Sequence, residues 1–85
     1  MSNAHHMPLL QRLLRGDLSS KAIAGLLWAM DDPGTVEWRE EGDTLRVDIY
    51  KDPPRAELID LLDGPDAHPE VLDLKALRQG LLSAR

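Results

Sequence analysis

Apolar and polar positions follow one rhythm before residue 35 and another after it. Upstream the period is helical. "PLLQRLLRG" sets Leu9, Leu10, Leu13 and Leu14 at helical spacing, with Pro8 at a favoured first position and Gly16 as a stop. "DLSSKAIAGLLWAM" offers Asp17, Ser19 or Ser20 as N-cap, followed by Ile23, Leu26, Leu27 and Met30 at i, i+3, i+4 and i+7. Gly25 inside this second helix costs up to about 1 kcal/mol relative to Ala, which predicts the close approach of another element.

After "DDPG" the period becomes 2. Val36 and Trp38 point one way and Thr35, Glu37 and Arg39 the other; beyond "EEGD", Leu45, Val47 and Ile49 alternate with Thr44, Arg46, Asp48 and Tyr50. Two such runs around a Gly-containing turn predict a β-hairpin. A turn centred between Glu41 and Gly42 sets Trp38 opposite Leu45, Val36 opposite Val47 and Glu37 opposite Arg46, matching apolar with apolar and acid with base. Moving the turn to Gly42-Asp43 opposes Glu37 to Asp48 and Arg39 to Arg46, so the first register is the expectation. "DPPRAELIDLLDG" then predicts a helix capped by Asp52 and Gly64, with Leu58, Ile59, Leu61 and Leu62 on its apolar side. A last helix is expected from about Asp73, bearing Leu74, Leu77, Leu81 and Leu82, while Val71-Leu72 reads as either helix or strand. The fold class is therefore α+β: two N-terminal helices, a two-stranded antiparallel β-hairpin packed on helices, and two C-terminal helices.

Composition narrows the class. Residues 1–7 read as a cleavage scar and cloning remnant, leaving 8–85 as a single small α+β domain that buries only about 60% of its unfolded surface. The chain is 42% hydrophobic and 29% charged, ordinary for a folded protein, and contains no cysteine. No apolar run approaches the roughly 18 residues of a membrane span, and no signal segment follows Met7, so the cytoplasm is the expected compartment. The net charge of -5 is concentrated: residues 31–52 hold eight acids against three bases, and the remainder balances.

Catalytic chemistry finds little footing. Outside residues 1–7 the one histidine is His68, which reads as a solvated loop residue or helix cap rather than a general base. Asp60, Asp63, Asp66, His68, Glu70 and Asp73 gather oxygen ligands but lack the alternating spacing of a calcium loop, so they read as caps and solvated charge, and any metal on His5 and His6 would reflect the tag. No phosphate-cradling glycine loop is present. No catalytic residues, no metal and no cofactor are expected.

Two resemblances bear on partners. "LSSKAIAGLLWAMDDPGTVEWRE" resembles the helix-turn-helix of bacterial regulators, which implies a supporting helix over Ser20–Leu27 and a DNA-reading helix from Thr35 to Arg39. Trp28-Ala29 stand where that family has a turn glycine, and Asp31, Asp32, Glu37, Glu40 and Glu41 would face phosphates spaced about 1.7 Å apart along the duplex axis. "VEWREEGDTLRVDIYKDPP" resembles the β-hairpin docking modules of nonribosomal peptide synthetase subunits, over residues 36 to about 62. That likeness implies capture of an extended tail, although the surround here is acidic where the family's is basic.

The function expected from these features is a small acidic, non-enzymatic protein–protein interaction module, of adaptor, docking or inhibitor type, using the outer face or edge of the hairpin. The alternative is a degenerate, winged helix-turn-helix regulator. The expected partner-binding residues are Glu37, Arg39, Glu40, Glu41, Arg46, Asp48, Tyr50 and Trp28, for which core packing under the hairpin is the stronger expectation. The partner is another protein or an extended peptide of basic character rather than nucleic acid or a membrane. Leucines of the first and last helices further suggest self-association as a homo-oligomer.

Overall fold

A computed structural model describes residues 9–64 and 67–83; the proposed remnant, His5, His6 and Asp66 lie outside them. Helix α1 (Leu9–Arg12) closes in a wide π-type turn over Leu13–Asp17. Helix α2 (Ser20–Asp31) follows, capped by the Ser19 hydroxyl, which accepts a hydrogen bond from the Ala22 N–H at 3.1 Å. Strands β1 (Glu37–Glu41), β2 (Leu45–Lys51), β3 (Pro54–Asp60) and β4 (Glu70–Leu72) form an antiparallel meander in the order β1-β2-β3-β4. Helix α3 (Leu74–Ser83) ends the described chain, its start capped by the Asp73 carboxylate on the Lys75 N–H.

The class is α+β, but its layout corrects the expected one. Residues 54–60 form a strand instead of a helix, and Val71-Leu72 join a fourth strand, so the hairpin is part of a four-stranded sheet and one C-terminal helix replaces two. The reason is tertiary. Ala, Leu and Glu favour helices locally, yet "RAELID" also alternates, and as a strand it buries Ala56 and Leu58 beside Ile49 and Val47. A helix there would have left one edge of β2 unpaired under a buried apolar row. The apolar side expected of that helix is correspondingly absent: Leu61 and Leu62, in a short 3-10 turn (Leu61–Asp63), are exposed.

One face of the sheet carries the core. Leu45, Val47 and Ile49 of β2 and Ala56 and Leu58 of β3 pack against Leu13, Leu18, Leu26, Leu27, Leu77 and Leu81 of the helical layer. On α2 the buried face is Ala22, Leu26, Leu27 and Ala29, rotated from the expected stripe, with Ile23 and Met30 at its margin. Most leucines of α1 and α3 also belong to this core, so the Leu-rich surface expected to drive self-association is not presented; Leu82 alone among them is exposed.

The hairpin register differs as well. Trp38 pairs with Ile49, Arg39 with Asp48 and Glu41 with Arg46, and the turn tip is Asp43-Thr44. Asp17 places it there. Its carboxylate accepts hydrogen bonds from the N–H groups of Thr44 and Leu45, each at 3.0 Å, and from the Thr44 hydroxyl, while its carbonyl accepts from the Asp43 N–H at 3.3 Å. Gly42 is obligatory for this approach, because a Cβ at that position would collide with the Asp17 carbonyl and carboxylate. The observed and expected registers differ by four in the sum of paired residue numbers, so each side chain keeps its face and the charges still complement. Nothing within the two strands separates them; the distant carboxylate does.

Thr44 extends the clamp. Its hydroxyl accepts from Arg12 at 3.1 Å, and Arg12 reaches the Asp60 carboxylate at 2.8 Å, so the N-terminal helix, the β1–β2 turn and the end of β3 share one network. The Arg12 hydrogen bond is the largest cause holding the Asp60 carboxyl below its ordinary range, aided by the Leu62 N–H and opposed by burial. Glu70 accepts from the Leu9 N–H at 3.2 Å, and Asp31 pairs with Arg78 to join α2 and α3.

Two outcomes test this framework. Gly42→Ala should lower unfolding free energy by about 2 kcal/mol in urea titration, because the added methyl group displaces the Asp17 clamp. A carboxyl with a depressed folded pKa stabilises above its unfolded value, near about 4, and that stabilisation is lost as pH falls through the folded value. Asp60→Asn should therefore cost about 1–2 kcal/mol at neutral pH, and the difference from the parent should shrink below about pH 4.

Candidate interaction surface

The sheet face turned away from the helices carries Glu37, Arg39 and Glu41 of β1, Arg46, Asp48 and Tyr50 of β2, Arg55, Glu57 and Ile59 of β3, and Val71 of β4. Strand alternation sends these side chains outward because their neighbours fill the core. At the centre lies Asp48, only 4% exposed and thus the one buried charged residue among those described. A carboxylate so placed requires compensation. Arg39, directly across the ladder, donates from Nε to Asp48 Oδ1 at 2.7 Å, and Arg46 brings its Nε within 3.4 Å of Oδ2 from two residues along the same strand. The Arg46 Nε is buried and poorly aligned for a hydrogen bond, so its contribution is mainly charge. The hydrogen bond to Asp48 is also the largest cause of a raised Arg39 pKa.

Beside this cluster Arg55 stacks over the Tyr50 ring, 4.2 Å from its centroid, and donates to Glu57 at 3.1 Å. Glu57 lies directly opposite Asp48, so two acids face each other while arginines approach from both sides. Along the β1–β2 seam a pocket of about 460 Å³ is lined by Glu37, Trp38, Arg39, Asp48, Ile49 and Tyr50. Glu37, Glu41 and Asp43 are exposed and enter none of the ion pairs among the described residues.

The residues expected to bind a partner thus divide by position. Glu37, Arg39, Glu41, Arg46, Asp48 and Tyr50 share the outer face, although Asp48 is a buried anchor for arginines instead of an accessible charge. Glu40 belongs elsewhere: it points to the helical side, where its carboxylate accepts from Trp38 Nε1 at 2.8 Å. A Cβ on Gly25 would come within 2.5 Å of that carboxylate, so Gly25 lets β1 lie close on α2, as expected of it. Trp28 packs edge-to-face on Trp38, ring centroids 5.4 Å apart, yet remains 55% exposed, which corrects the expectation of burial. The cause is the rotated face of α2, which turns Trp28 toward the edge of the sheet.

Arg55, Glu57 and Ile59 join the surface without having been anticipated, because residues 54–60 read as a helix; the alternation of Arg55 and Glu57 with Ala56 and Leu58 is the signal that identifies them. The helix-turn-helix likeness does not extend to structure, since Glu37–Arg39 begin β1 where a reading helix would start. The docking-module likeness fails at the same kind of point, where β3 replaces the helix after the hairpin. Of the acid-rich segment, Asp60 is held by Arg12, Glu70 by the Leu9 N–H and Asp73 by α3, and no three potential metal ligands converge among the described residues. Among the described residues no helix is long and apolar enough to cross a membrane.

Breaking the central pair should be costly. Asp48→Ala leaves Arg46 without its counter-charge and should lower stability by about 1–3 kcal/mol in denaturant titration. Arg39→Ala should cost less, because the exposed guanidinium is replaced by water while Arg46 still faces Asp48.

No protein-family model, no curated protein and no solved structure matches the chain.

Proposed function

We propose that this chain is a non-enzymatic interaction module that holds a basic, extended segment of another protein against the open face of its sheet. The observation that carries this reading is the one-sided covering: three helices lie on one face, and the other presents Tyr50, Arg46, Arg55 and Ile59 beside acids that enter no ion pair among the described residues. Aromatic and arginine side chains supply contact area with polar tips, and half-buried Ile59 adds an apolar floor. Glu41 and Asp43, unpaired at the turn end, favour lysine or arginine in the partner. The same charge opposes a nucleic-acid backbone. Of the carboxylates near Tyr50, Asp48 is engaged by two arginines and Glu57 by Arg55, while Glu37, directly across the ladder from Tyr50, is exposed to solvent.

The test is a titration of isotope-labelled protein with an extended lysine-rich peptide, followed by amide NMR shifts. Shifts should map to β1, β2 and β3, and Glu41→Lys with Asp43→Lys should weaken binding by about tenfold, equivalent to about 1.4 kcal/mol. Unchanged affinity in that double variant, or shifts confined to the helical side, would overturn the reading. Tighter binding to duplex DNA at low salt than to the peptide would replace it with a nucleic-acid role.

A further inference from the structure

The two edges of the sheet are unequal. β4 is three residues long and follows Pro69, which blunts it, whereas β1 presents five residues with no strand beyond it. Lys51 donates its N–H to the Val36 carbonyl and Gly42 its N–H to the Leu45 carbonyl, so the even-numbered residues of β1 bond to β2. By alternation the N–H and C=O groups of Glu37, Arg39 and Glu41 point away from the sheet. Nothing among the described residues hydrogen-bonds to them.

From this edge and its charge pattern, we propose that two copies of the chain pair antiparallel through β1, about a two-fold axis at Trp38, to make one continuous eight-stranded sheet. Three two-fold registers bring the outward backbone groups together. Centring on Arg39 opposes Arg39 to itself and Glu37 to Glu41, like against like. Centring on Glu40 sets Arg39 opposite Glu41, but it also opposes Glu40 to itself, like against like on the axis, with its carboxylate already engaged by Trp38. Centring on Trp38 sets Glu37 opposite Arg39 of the second copy, twice by symmetry, with Trp38 against Trp38. Opposite charges and aromatic pairs at directly opposed positions are the favourable combinations in an antiparallel ladder.

The surrounding side chains agree with that register. Across the outer face a row would run from Arg55 over Tyr50 to Glu37, then to Arg39 and Asp48 of the second copy. In the single chain this row stops at Glu37, which enters no ion pair among the described residues, beside an open pocket lined by Glu37, Arg39, Asp48 and Tyr50. On the helical side, Trp28 stands exposed next to Trp38, at the position where a second copy would cover it. Pairing through one self-complementary edge is isologous and closes on itself, leaving only the blunted β4 edges outside. Glu41 and Asp43 stay clear of these paired charges, so the surface proposed for a basic partner remains available on each copy.

Sedimentation equilibrium at about 100 µM, a concentration suited to a small interface, is the test. The parent should run near twice 9.5 kDa, and both Glu37→Arg and Arg39→Glu should run as monomers because each opposes like charges. An equimolar mixture of these two variants restores both complementary pairs and should recover the dimer mass. Glu37→Pro removes one outward N–H without touching the bonds to β2, and should also be monomeric with an unchanged circular dichroism spectrum. A parent that is monomeric at this concentration, or a Glu37→Arg or Glu37→Pro protein that stays dimeric, would overturn the proposal. None of these outcomes depends on the Glu41 and Asp43 substitutions that test partner binding.

Discussion

Asp17 fixes where the sheet begins to fold back, and the rest of the architecture inherits that choice. Its carboxylate collects the otherwise unpaired donors of Thr44 and Leu45 at the β1–β2 tip, from a chain position 27 residues before Thr44. Two hairpin registers satisfy the alternation of faces, and both oppose acids to bases, so strand-level physics leaves them nearly equal. A charge-assisted hydrogen bond is worth about 1.5–3 kcal/mol, more than the few tenths at stake in most cross-strand pairs, which is why the distant group decides. Through Thr44 the same clamp reaches Arg12 and Asp60, so the turn, the first helix and the end of β3 are set together.

Once the turn is at Asp43-Thr44, Asp48 comes opposite Arg39 and the outer face acquires its centre. The burial of Asp48 is then a consequence of its neighbours' length: arginine stems from both sides cover the carboxylate, the Arg39 head remaining wet while the Arg46 Nε is buried with it. This explains how a sheet can leave one face without helices in so small a protein. The face does not need an apolar partner to be stable, since its charges are matched laterally and its aliphatic stems shield the backbone. It is also acidic at its rim instead of its middle, because the central acids are the ones that arginines hold.

Much of this was legible in the residues. The helical period before Thr35, the change to period 2, the demand for close approach at Gly25 and the apolar row Leu45, Val47, Ile49 follow from local spacing and appear as expected, and of the three caps offered, Asp17, Ser19 and Ser20, the structure uses Ser19. One strand escaped and another stayed open between helix and strand, for different reasons. β3 is built of good helix formers whose alternation shows only beside β2, and β4 is three residues long, too short for a period to declare itself. The register escaped because its cause lies outside the hairpin. The surface was legible in composition more than in geometry: Glu37, Arg39, Glu41, Arg46, Asp48 and Tyr50 do share a face, but charge counting assigned Asp48 to the accessible patch, and only contacts reveal it as the anchor.

The distribution of unmet polar groups carries the argument one step further. In a sheet whose faces are both settled, by core on one side and by paired charge on the other, the remaining demand concentrates on its edges. Here β4 is shortened, while β1 retains full length, alternating charge and a tryptophan at its centre. An edge defended only against aggregation would carry one sign of charge, so that every copy repels every other. Glu37 and Arg39 on the same side of one strand do the reverse in a single register, because each supplies what the other lacks across a two-fold axis. The free acids at the turn, Glu41 and Asp43, lie beyond that seam, and a charge left over after a self-complementary pairing is the kind that selects a different partner.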